Sequence, residues 1–407
     1  MSTKKQPIRA QDAQGLKYFD RVRKLLARLH DHKPNPNRQL HYDEFAALLM
    51  LHFLSPTLSS LRALQQASGL RNVKKKLGIR RASLGSLSEA QHVFDPKLLA
   101  EVFQELARQV GADDAHGRPG GLPEELELLA VDGTLLRALP RMMWAHYVNP
   151  ERRAAKLHLE FDVLKSVPSG ATLTDANTDE RQVLESRLAG GKVYLLDAGY
   201  AKYALLEAIR GAGSSFVLRL HDNAVYDVLE ERALTDDDAA AGVEFDRVVR
   251  LGGERKQADI SAPVRVVKVH VQSPPQRGLA KRSSRVSSKK TFRHRPEEYD
   301  VLVVTDLLEL PAETVAMLYR WRWTIELFFR WFKCVLGFSH LVLEGQPGVA
   351  MQVYAALIVS LLVVLWTGRK PTKRTWEMIQ LYFQGWASLE ELEAHLAGLR
   401  PVQASQS

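Results

Sequence analysis

Five side chains between positions 319 and 333 fall on one stripe if that stretch is an α-helix. Each helical residue turns by about 100°, so spacings of 3, 4, 4 and 3 place on one face Tyr319, Arg322, Glu326, Arg330 and Lys333. A ladder of ion pairs on a solvated face would explain this pattern. A single acid held among cations for chemistry on an anionic substrate would explain it too. The helix by itself leaves both interpretations open.

Two aspartates far upstream favour the chemical interpretation. Asp132 ends the apolar run ELELLAVD, Asp197 ends the apolar run VYLLD, and a glycine follows each of them within two residues. Functional side chains converge at strand ends of a mixed sheet, so a helix packed there would add Glu326 as a third carboxylate. Three carboxylates form a hard oxygen site that suits Mg²⁺ or Mn²⁺. Two such ions can clamp the attacking and leaving oxygens of a phosphoryl displacement.

The same helix carries residues that predict how it is held and what it binds. Arg322 and Lys333 would hold a nucleic-acid backbone beside the cations, because a scissile phosphate is itself anionic. Trp323 and Leu327 flank the charged stripe. The opposite, apolar side predicts a core-facing surface, formed by Trp321, Ile325, Phe328 and Phe332.

The composition is that of a globular protein with a basic surplus. The 407 residues carry a net charge of +9, which favours a polyanionic partner. The single cysteine cannot form a disulfide framework or a thiolate zinc site, so we expect a reducing, cytoplasmic environment. The first residues, MSTKKQPIRAQDAQG, lack the apolar segment of a secretory signal. The apolar stretch 349–366 is long enough to cross a bilayer, but Gln352 and Ser360 interrupt it, and we interpret it as a buried helix.

Changes in residue pattern divide the chain into five parts. Apolar residues at spacings of three and four predict helices over 1–120. Over 121–221, apolar and alternating runs predict three strands, a helix, a strand, a helix and a strand, which is a mixed sheet covered by helices. We expect a β-rich insertion over 222–310, one long helix over 311–337 that starts at Pro311, and further helices over 338–407.

Two basic segments are candidates for contacts with DNA. The segment RNVKKKLGIRR, at 71–81, holds six Lys/Arg in eleven positions and is either a solvated loop or a short helix and turn against a DNA backbone. The segment 273–296 is Ser-rich and strongly basic, a composition typical of a disordered loop. The candidate residues of these two segments are Lys74, Lys75, Lys76, Lys289 and Lys290.

Local patterns predict two helix starts and the role of the cysteine. Ser-x-x-Glu sequences indicate capping boxes at Ser86 and at Ser388. We interpret Cys334 as a small apolar filler rather than a nucleophile.

The stripe residues at 319, 322, 326 and 333 match the pattern Y-(2)-R-(3)-E-(6)-K. With Asp-Gly-Thr at 132, Asp-x-Gly-Tyr at 197 and the β-rich insertion before the stripe, the chain resembles the bacterial cut-and-paste transposases of the family named after insertion sequence 4. The resemblance implies a DDE enzyme with an RNase H-like, mixed-sheet catalytic core. It also implies an N-terminal helical region that binds the element's ends and a C-terminal helical region.

The resemblance carries roles over to individual residues. Asp132, Asp197 and Glu326 would be the catalytic ligands of Mg²⁺ or Mn²⁺. The expected DNA contacts on the stripe and beside it are Tyr319, Arg322, Lys333, Arg330 and Trp323. The insertion of this family can supply a tryptophan that stacks on a flipped base. This chain has no tryptophan between 145 and 320, and Phe292 or Trp323 would have to replace it.

The resemblance further implies four transfers at one site. Water cuts one strand at the element's end, the freed 3′-hydroxyl attacks the opposite strand to form a hairpin, water reopens it, and the 3′-hydroxyl attacks target DNA. The expected partners are double-stranded DNA of the terminal inverted repeats and of the target, with a dimer in the DNA complex, a nucleoid-associated cytoplasmic location and no membrane. Two alternatives stay open: an RNase H-like structure-specific nuclease, and a non-catalytic DNA-binding protein of the element.

Overall fold

The computed structural model describes residues 19–32, 35, 37–111, 117–147, 153–252, 262–272, 298–337, 341–367 and 372–398. The basic segment 273–296, with Lys289, Lys290 and Phe292, lies outside the described residues. The chain forms two compact units. The first unit comprises Met1–Gly117, Val131–Val183 and Thr324–Ser407, and the second comprises Arg118–Ala130 and Leu184–Trp323.

Helices and strands alternate in blocks along the chain. The helices are α1 (Phe19–Ala27), α2 (Tyr42–Leu54), α3 (Leu61–Gly69), α4 (Arg71–Leu77), α5 (Leu84–Val93), α6 (Pro96–Gln109), α7 (Glu180–Glu185), α8 (Tyr203–Gly211), α9 (Asp236–Ala240), α10 (Ala312–Trp321), α11 (Trp323–Cys334), α12 (Gln346–Thr367), α13 (Lys373–Phe383) and α14 (Leu389–Gly398). The strands are β1 (Glu127–Arg137), β2 (Ala154–Asp162), β3 (Val167–Asp175), β4 (Lys192–Leu196), β5 (Ser215–Arg219), β6 (Tyr226–Arg232), β7 (Val243–Leu251), β8 (Val264–Gln272) and β9 (Glu298–Thr305).

The nine strands are hydrogen-bonded in the order β3-β2-β1-β4-β5-β9-β8-β7-β6. β4 pairs in parallel with β1 and with β5, whereas β2–β3 and the ladders from β5 through β9, β8 and β7 to β6 are antiparallel. The central strands β4 and β5 are apolar and buried on both faces, as parallel strands covered by helices require. The predicted mixed α/β sheet is therefore confirmed.

The strands of the 222–310 segment extend this same sheet from β5, through the pairing of β5 with β9. β6 was not predicted from the sequence. Its interior side chains are all exposed, so it lacks the buried face that produces an alternating pattern.

The apolar stretch 349–366 lies in α12, which packs within the first unit against α2, α5, α6 and β3. Of its most apolar 18-residue window, 83% is buried inside the protein, and it is the one helix of the described residues long and apolar enough to cross a membrane. Both polar residues of the stretch are bonded: Gln352 Oε1 accepts from Val342 N at 3.1 Å, and Ser360 Oγ donates to Leu357 O at 2.7 Å. The prediction of a buried helix is confirmed.

The prediction of a single long helix over 311–337 is wrong. α10 ends at Trp321, α11 begins at Trp323, and Arg322 forms a turn between them. The dihedral angles of Arg322 (φ −50°, ψ −32°) are nevertheless close to those of a regular α-helix. Of the predicted core-facing residues, Ile325, Phe328 and Phe332 are buried and Trp321 is half-buried.

The local predictions had mixed outcomes. The segment 71–81 is a helix, α4, followed by a left-handed turn at Gly78 (φ 69°), so it is not an irregular loop. Ser388 and Glu391 form the predicted capping box. α5 begins three residues before the predicted start, because Ser83 Oγ accepts from Ser86 N at 3.0 Å. Cys334 is exposed, so the prediction that it fills the core is wrong.

Candidate active site

In the second unit, two neighbouring parallel strands end at charged residues. The β4–β5 ladder pairs Val193 with Ser215, which are 22 positions apart, and its last pair is Leu196 with Leu218. Asp197 and Arg219 are also 22 positions apart and come next in this register. Side chains at the same level of adjacent strands lie on the same side of the sheet. The register thus brings Asp197 and Arg219 to the same end of β4 and β5.

Asp197 is restrained by the turn that it begins. It is the N-cap of the 3-10 turn Ala198–Tyr200, and its Oδ1 accepts from Gly199 N at 2.8 Å. A Cβ at Gly199 would lie only 3.0 Å from that same oxygen. The glycine two residues after the aspartate therefore leaves room for the carboxylate to cap the turn.

Tyr319 and Arg322 join Asp197 and Arg219 in this group. The Arg322 guanidinium lies 5.8 Å from the centre of the Tyr319 ring, and Arg322 is only 7% exposed. Burial raises the pKa of the Tyr319 phenol, while the charges of Arg322 and Arg219 act to lower it and Asp197 acts to raise it. The carboxylate suits a cation, and the two guanidiniums and the phenol suit a phosphate bound to that cation.

Arg219 is the functional candidate that the sequence predictions missed. The sequence contained a signal for Arg219, because this residue ends a buried strand predicted to lie in the same sheet as the strand before Asp197. Acids were the only residues predicted to act at strand ends.

In the first unit, Asp132 lies within a strand rather than at its end. β1 continues to Arg137, so the predicted strand end at Asp132 is wrong. The parallel ladder of β1 with β4 nevertheless stops at Ala130, two residues earlier. Asp132 is half-buried, and its Oδ1 accepts from Gly133 N at 2.7 Å.

The residue after Asp132 lies directly against the Glu180 side chain. A Cβ at Gly133 would lie 2.5 Å from Glu180 Oε1. That carboxylate is paired with Lys156 Nζ at 3.2 Å, and Lys156 Nζ also donates to Thr178 O at 3.1 Å. Glycine at 133 therefore allows the Lys156–Glu180 pair to close against the strand that carries Asp132.

The α11 side of the stripe is also in the first unit and is not uniformly solvated. Glu326 and Lys333 are half-buried, and Arg330 is exposed. Burial lowers the pKa of Lys333, and the charges of Cys334 and Asp132 act in the opposite direction. Lys333 is thus within electrostatic reach of Asp132. A fully solvated ladder of ion pairs does not fit this stripe.

The other predicted DNA-binding residues are accessible or lie outside the description. Lys74 and Lys75 are exposed on α4, which also contains Lys76. Trp323 is 38% exposed at the start of α11.

A second cluster of acids, on β7–β9, has metal-ligand chemistry but already holds a cation. Glu244, His270 and Asp300 place one potential ligand atom each within 4.8 Å of one another. Lys268 Nζ lies 2.5 Å from Glu244 and 2.9 Å from Asp300. These hydrogen bonds raise the pKa of Lys268 to about 12, so the cluster is an ion-pair network.

Comparisons with known proteins point to one class. Residues 123–362, more than half of the chain, match the family of transposase DDE domains. The chain is 27% identical over 266 residues to a protein of Sinorhizobium fredii named as a transposase, covering 64% of this chain and 65% of that protein. It is 27% identical over 269 residues to a protein of Geobacillus stearothermophilus named as a transposase of an insertion sequence element, covering 66% of this chain and 62% of that protein. The match therefore spans somewhat less than two thirds of each relative.

A solved structure of a piggyBac transposase synaptic complex with hairpin DNA also matches. The TM-score is 0.42 at 10% sequence identity, and the match covers 96% of this chain and 86% of that one.

Proposed function

Because the chain belongs to the family of transposase DDE domains, we propose that it is the DNA transposase of an insertion sequence, which cuts DNA at the element's ends and joins it to a target. The observation that carries this proposal is the family match itself. It covers residues 123–362 and so includes Asp132, Asp197 and Glu326. The two relatives named as transposases support the same conclusion.

The catalytic acids are proposed to be Asp132, Asp197 and Glu326. The β1–β4 ladder pairs residues that are 65 positions apart, such as Glu127 with Lys192. Asp132 and Asp197 are also 65 positions apart, and each lies two residues beyond the last pair of that ladder, Ala130 with Leu195. The family match, which includes both aspartates, supports them as one pair of ligands. Glu326 would complete the set from α11.

These residues fit a hard divalent cation. All three are carboxylates, and Asp132 and Asp197 are half-buried and restrained by backbone N–H groups. Such oxygen donors suit Mg²⁺ or Mn²⁺. When bound, the ion makes the attacking oxygen more nucleophilic and stabilises charge on the phosphate.

The residues around the acids are proposed to hold the DNA backbone. Arg219, Arg322 and Tyr319 would bind a phosphate beside Asp197, and Lys333 would bind one beside Asp132, because charge-assisted bonds to phosphate are strong and directional. The exposed residues Arg330 and Trp323 would extend this contact. The lysines of α4 and of the basic segment would contact DNA further from the cut: Lys74, Lys75, Lys76, Lys289 and Lys290.

The finer classification is also a proposal. The order β3-β2-β1-β4-β5, with β1, β4 and β5 parallel, supports an RNase H-like core. The Y-(2)-R-(3)-E-(6)-K pattern supports the family named after insertion sequence 4, with its hairpin intermediate. We assign end binding to 1–120, catalysis to 121–221 with 311–337, and supporting roles to 222–310 and 338–407.

The working unit is proposed to be a dimer that holds two element ends, in the cytoplasm and with no membrane. Excision requires both ends to be cut, and one chain offers one set of three acids. The net charge of +9 opposes self-association until DNA neutralises it.

Replacement of the acids tests this proposal. With Mg²⁺ and DNA carrying an inverted repeat, the wild-type chain should cut the end and join it to target DNA. Asp132→Ala, Asp197→Ala and Glu326→Ala should each lose about a thousandfold or more in cleavage rate and still bind the end, since binding rests on lysine and arginine contacts.

Two outcomes would contradict the proposal. Cleavage without joining would indicate a structure-specific nuclease. End binding by the wild type without cleavage would indicate a non-catalytic DNA-binding protein.

A further inference from the structure

α10, the helix that carries Tyr319, lacks a cap of its own. Its N-cap is Pro311, whose side chain accepts no hydrogen bond. The first N–H groups of a helix have no partner within the helix. In this chain Glu313 N is satisfied from another element, by Asp238 Oδ1 at 2.9 Å.

Asp238 is built for this contact. It is 5% exposed on α9, and its Oδ2 accepts from Thr235 N and Thr235 Oγ1, both at 2.9 Å. Burial acts to raise the pKa of Asp238, but the hydrogen bonds from Thr235 and Glu313 outweigh it and lower the pKa. A carboxylate that stays ionised at a helix N-terminus also interacts favourably with the helix dipole.

α9 contacts α10 at a second point and is itself anchored. Arg320 Nη2, near the other end of α10, donates to Ala241 O, the carbonyl just after α9. The next residue, Gly242, has φ 82°, and a Cβ there would lie 2.8 Å from His270 O. His270 N donates to Gly242 O at 2.7 Å, which ties the end of α9 to β8.

The loop that leads into α10 is fixed as well. Arg265 and Asp246 form a bidentate ion pair at 2.7 and 2.6 Å, and the two residues are 3% and 4% exposed. The same guanidinium donates to Leu310 O and, at 3.3 Å, to Leu308 O. The axial position of α10 is therefore set by polar contacts from β7, β8 and α9.

We propose that Asp238 is a positioning residue, which holds α10 so that Tyr319 and Arg322 meet the DNA phosphate in one geometry. This inference rests on the proposed function. A helix rises about 1.5 Å per residue, so Tyr319 stands about 9 Å from Glu313 on a rigid rod. A shift at the capped end reaches the phosphate contacts nearly undiminished. Errors of about 1 Å in such contacts can cost about a hundredfold in rate.

The test compares Asp238→Ala with Asp236→Ala in the full-length chain. Asp236 is exposed on the same helix, so its replacement removes the same charge without the contact to α10. We expect Asp238→Ala to cut the element's end about tenfold or more slowly even at saturating DNA. Asp236→Ala should cut within about twofold of wild type.

A double-mutant cycle with Tyr319→Phe separates positioning from general destabilisation. If Asp238 acts through α10, the double variant should cut about as slowly as the slower single variant, because both changes remove one contact. Losses that multiply would overturn the inference. So would a cleavage rate for Asp238→Ala equal to that of Asp236→Ala.

Two further outcomes keep the inference falsifiable. Should Asp238→Ala fail to fold, Glu313→Pro replaces it: proline is tolerated in the first turn of a helix but has no N–H to donate to Asp238, and a wild-type cleavage rate would overturn the inference. If the wild type cuts and Asp197→Ala does not, a normal Asp238→Ala defeats this inference alone. A wild-type chain that never cuts defeats the proposed function and, with it, this inference.

Discussion

α10 and α11 follow each other directly in the chain and both bury apolar side chains, but their other contacts differ. α10 is also held by hydrogen bonds that involve Asp238, Arg265 and Arg320. α11 is held by aromatic packing. The ring centres of Phe328 and Phe161 lie 5.4 Å apart, and those of Trp331 and Trp376 lie 5.9 Å apart. The polar set fixes the position of a helix, because hydrogen bonds are directional. The aromatic set supplies burial energy with less directional constraint.

The difference matches what each helix is proposed to contribute. α10 leads to phosphate contacts, which need accurate placement of long, flexible side chains. α11 offers one acid, Glu326, and its buried face resembles an ordinary core. We therefore expect changes in the polar contacts of α10 to act on catalysis as well as stability, and changes in the α11 core to act mainly on stability.

The largest effect that would sharpen this comparison is on the free energy of unfolding. Phe332 is fully buried, so Phe332→Ala should destabilise the chain by about 3–5 kcal/mol. Arg265→Ala should cost about 3–5 kcal/mol as well, because it leaves Asp246 buried without its partner. The exposed residue Leu327 is a control, and Leu327→Ala should change stability by less than about 0.5 kcal/mol. Chemical denaturation measures all three.

A double replacement distinguishes the two kinds of support. Arg265→Met with Asp246→Leu should restore most of the stability, since an apolar pair often replaces a buried ion pair at little cost. Cleavage should stay low, because a methionine side chain has no N–H group to donate to the carbonyls of Leu308 and Leu310. Full recovery of both stability and cleavage would break the comparison.

The sequence predicted the apolar strands and helices of this fold well, and the reasons are local. β4, β5 and β9 are short runs of mainly apolar, buried residues, so the residue pattern alone identifies them as strands. The capping box of Ser388 and Glu391 could be predicted because its two hydrogen bonds join residues only three positions apart. The start of α5 was misplaced because Ser83 and Ser86 are both acceptable N-caps, and only the structure chooses Ser83.

The predictions that failed depended on contacts between distant residues. Arg322 keeps helical dihedral angles at the break between α10 and α11, so the break needs no glycine or proline that would mark it in the sequence. Arg219 becomes a candidate only through the strand register that brings it to the same sheet end as Asp197. The cap of α10 comes from Asp238, 75 residues away in the chain. Periodicity carries no information about such partners.

A smaller effect concerns the charges near α10. If Arg219 and Arg322 each bind a phosphate, Arg219→Ala and Arg322→Ala should each lower the salt-dependence slope of end binding by about one. Arg374→Ala is the control, because Arg374 is exposed on α13 and is not a proposed contact. An unchanged slope for both variants would show that the arginines serve the fold and not the DNA.

The smallest effect is on pH dependence and tests α11. Burial lowers the pKa of Lys333 below the ordinary value of 10.5, so its ammonium loses its proton earlier than that value as pH rises. The phosphate contact should be complete below the lowered pKa and lost above it. Arginine stays charged throughout this range. Wild type and Lys333→Arg should therefore cut similarly near neutral pH, and wild type should fall behind by about two- to fivefold on approach to pH 10.5.

The same shift has the opposite sign for stability. Because the pKa of Lys333 is lower in the folded chain than in the unfolded one, the unfolded chain binds more protons between the two values. Stability therefore gains from this group as pH rises through that window, while cleavage declines. Lys333→Met, which carries no charge at any pH, should cut slowly throughout and show neither trend. A ratio of wild-type to Lys333→Arg cleavage that stays constant up to pH 10.5 would mean that the Lys333 ammonium does not contact the phosphate, and α11 would then contribute only Glu326 and its buried face.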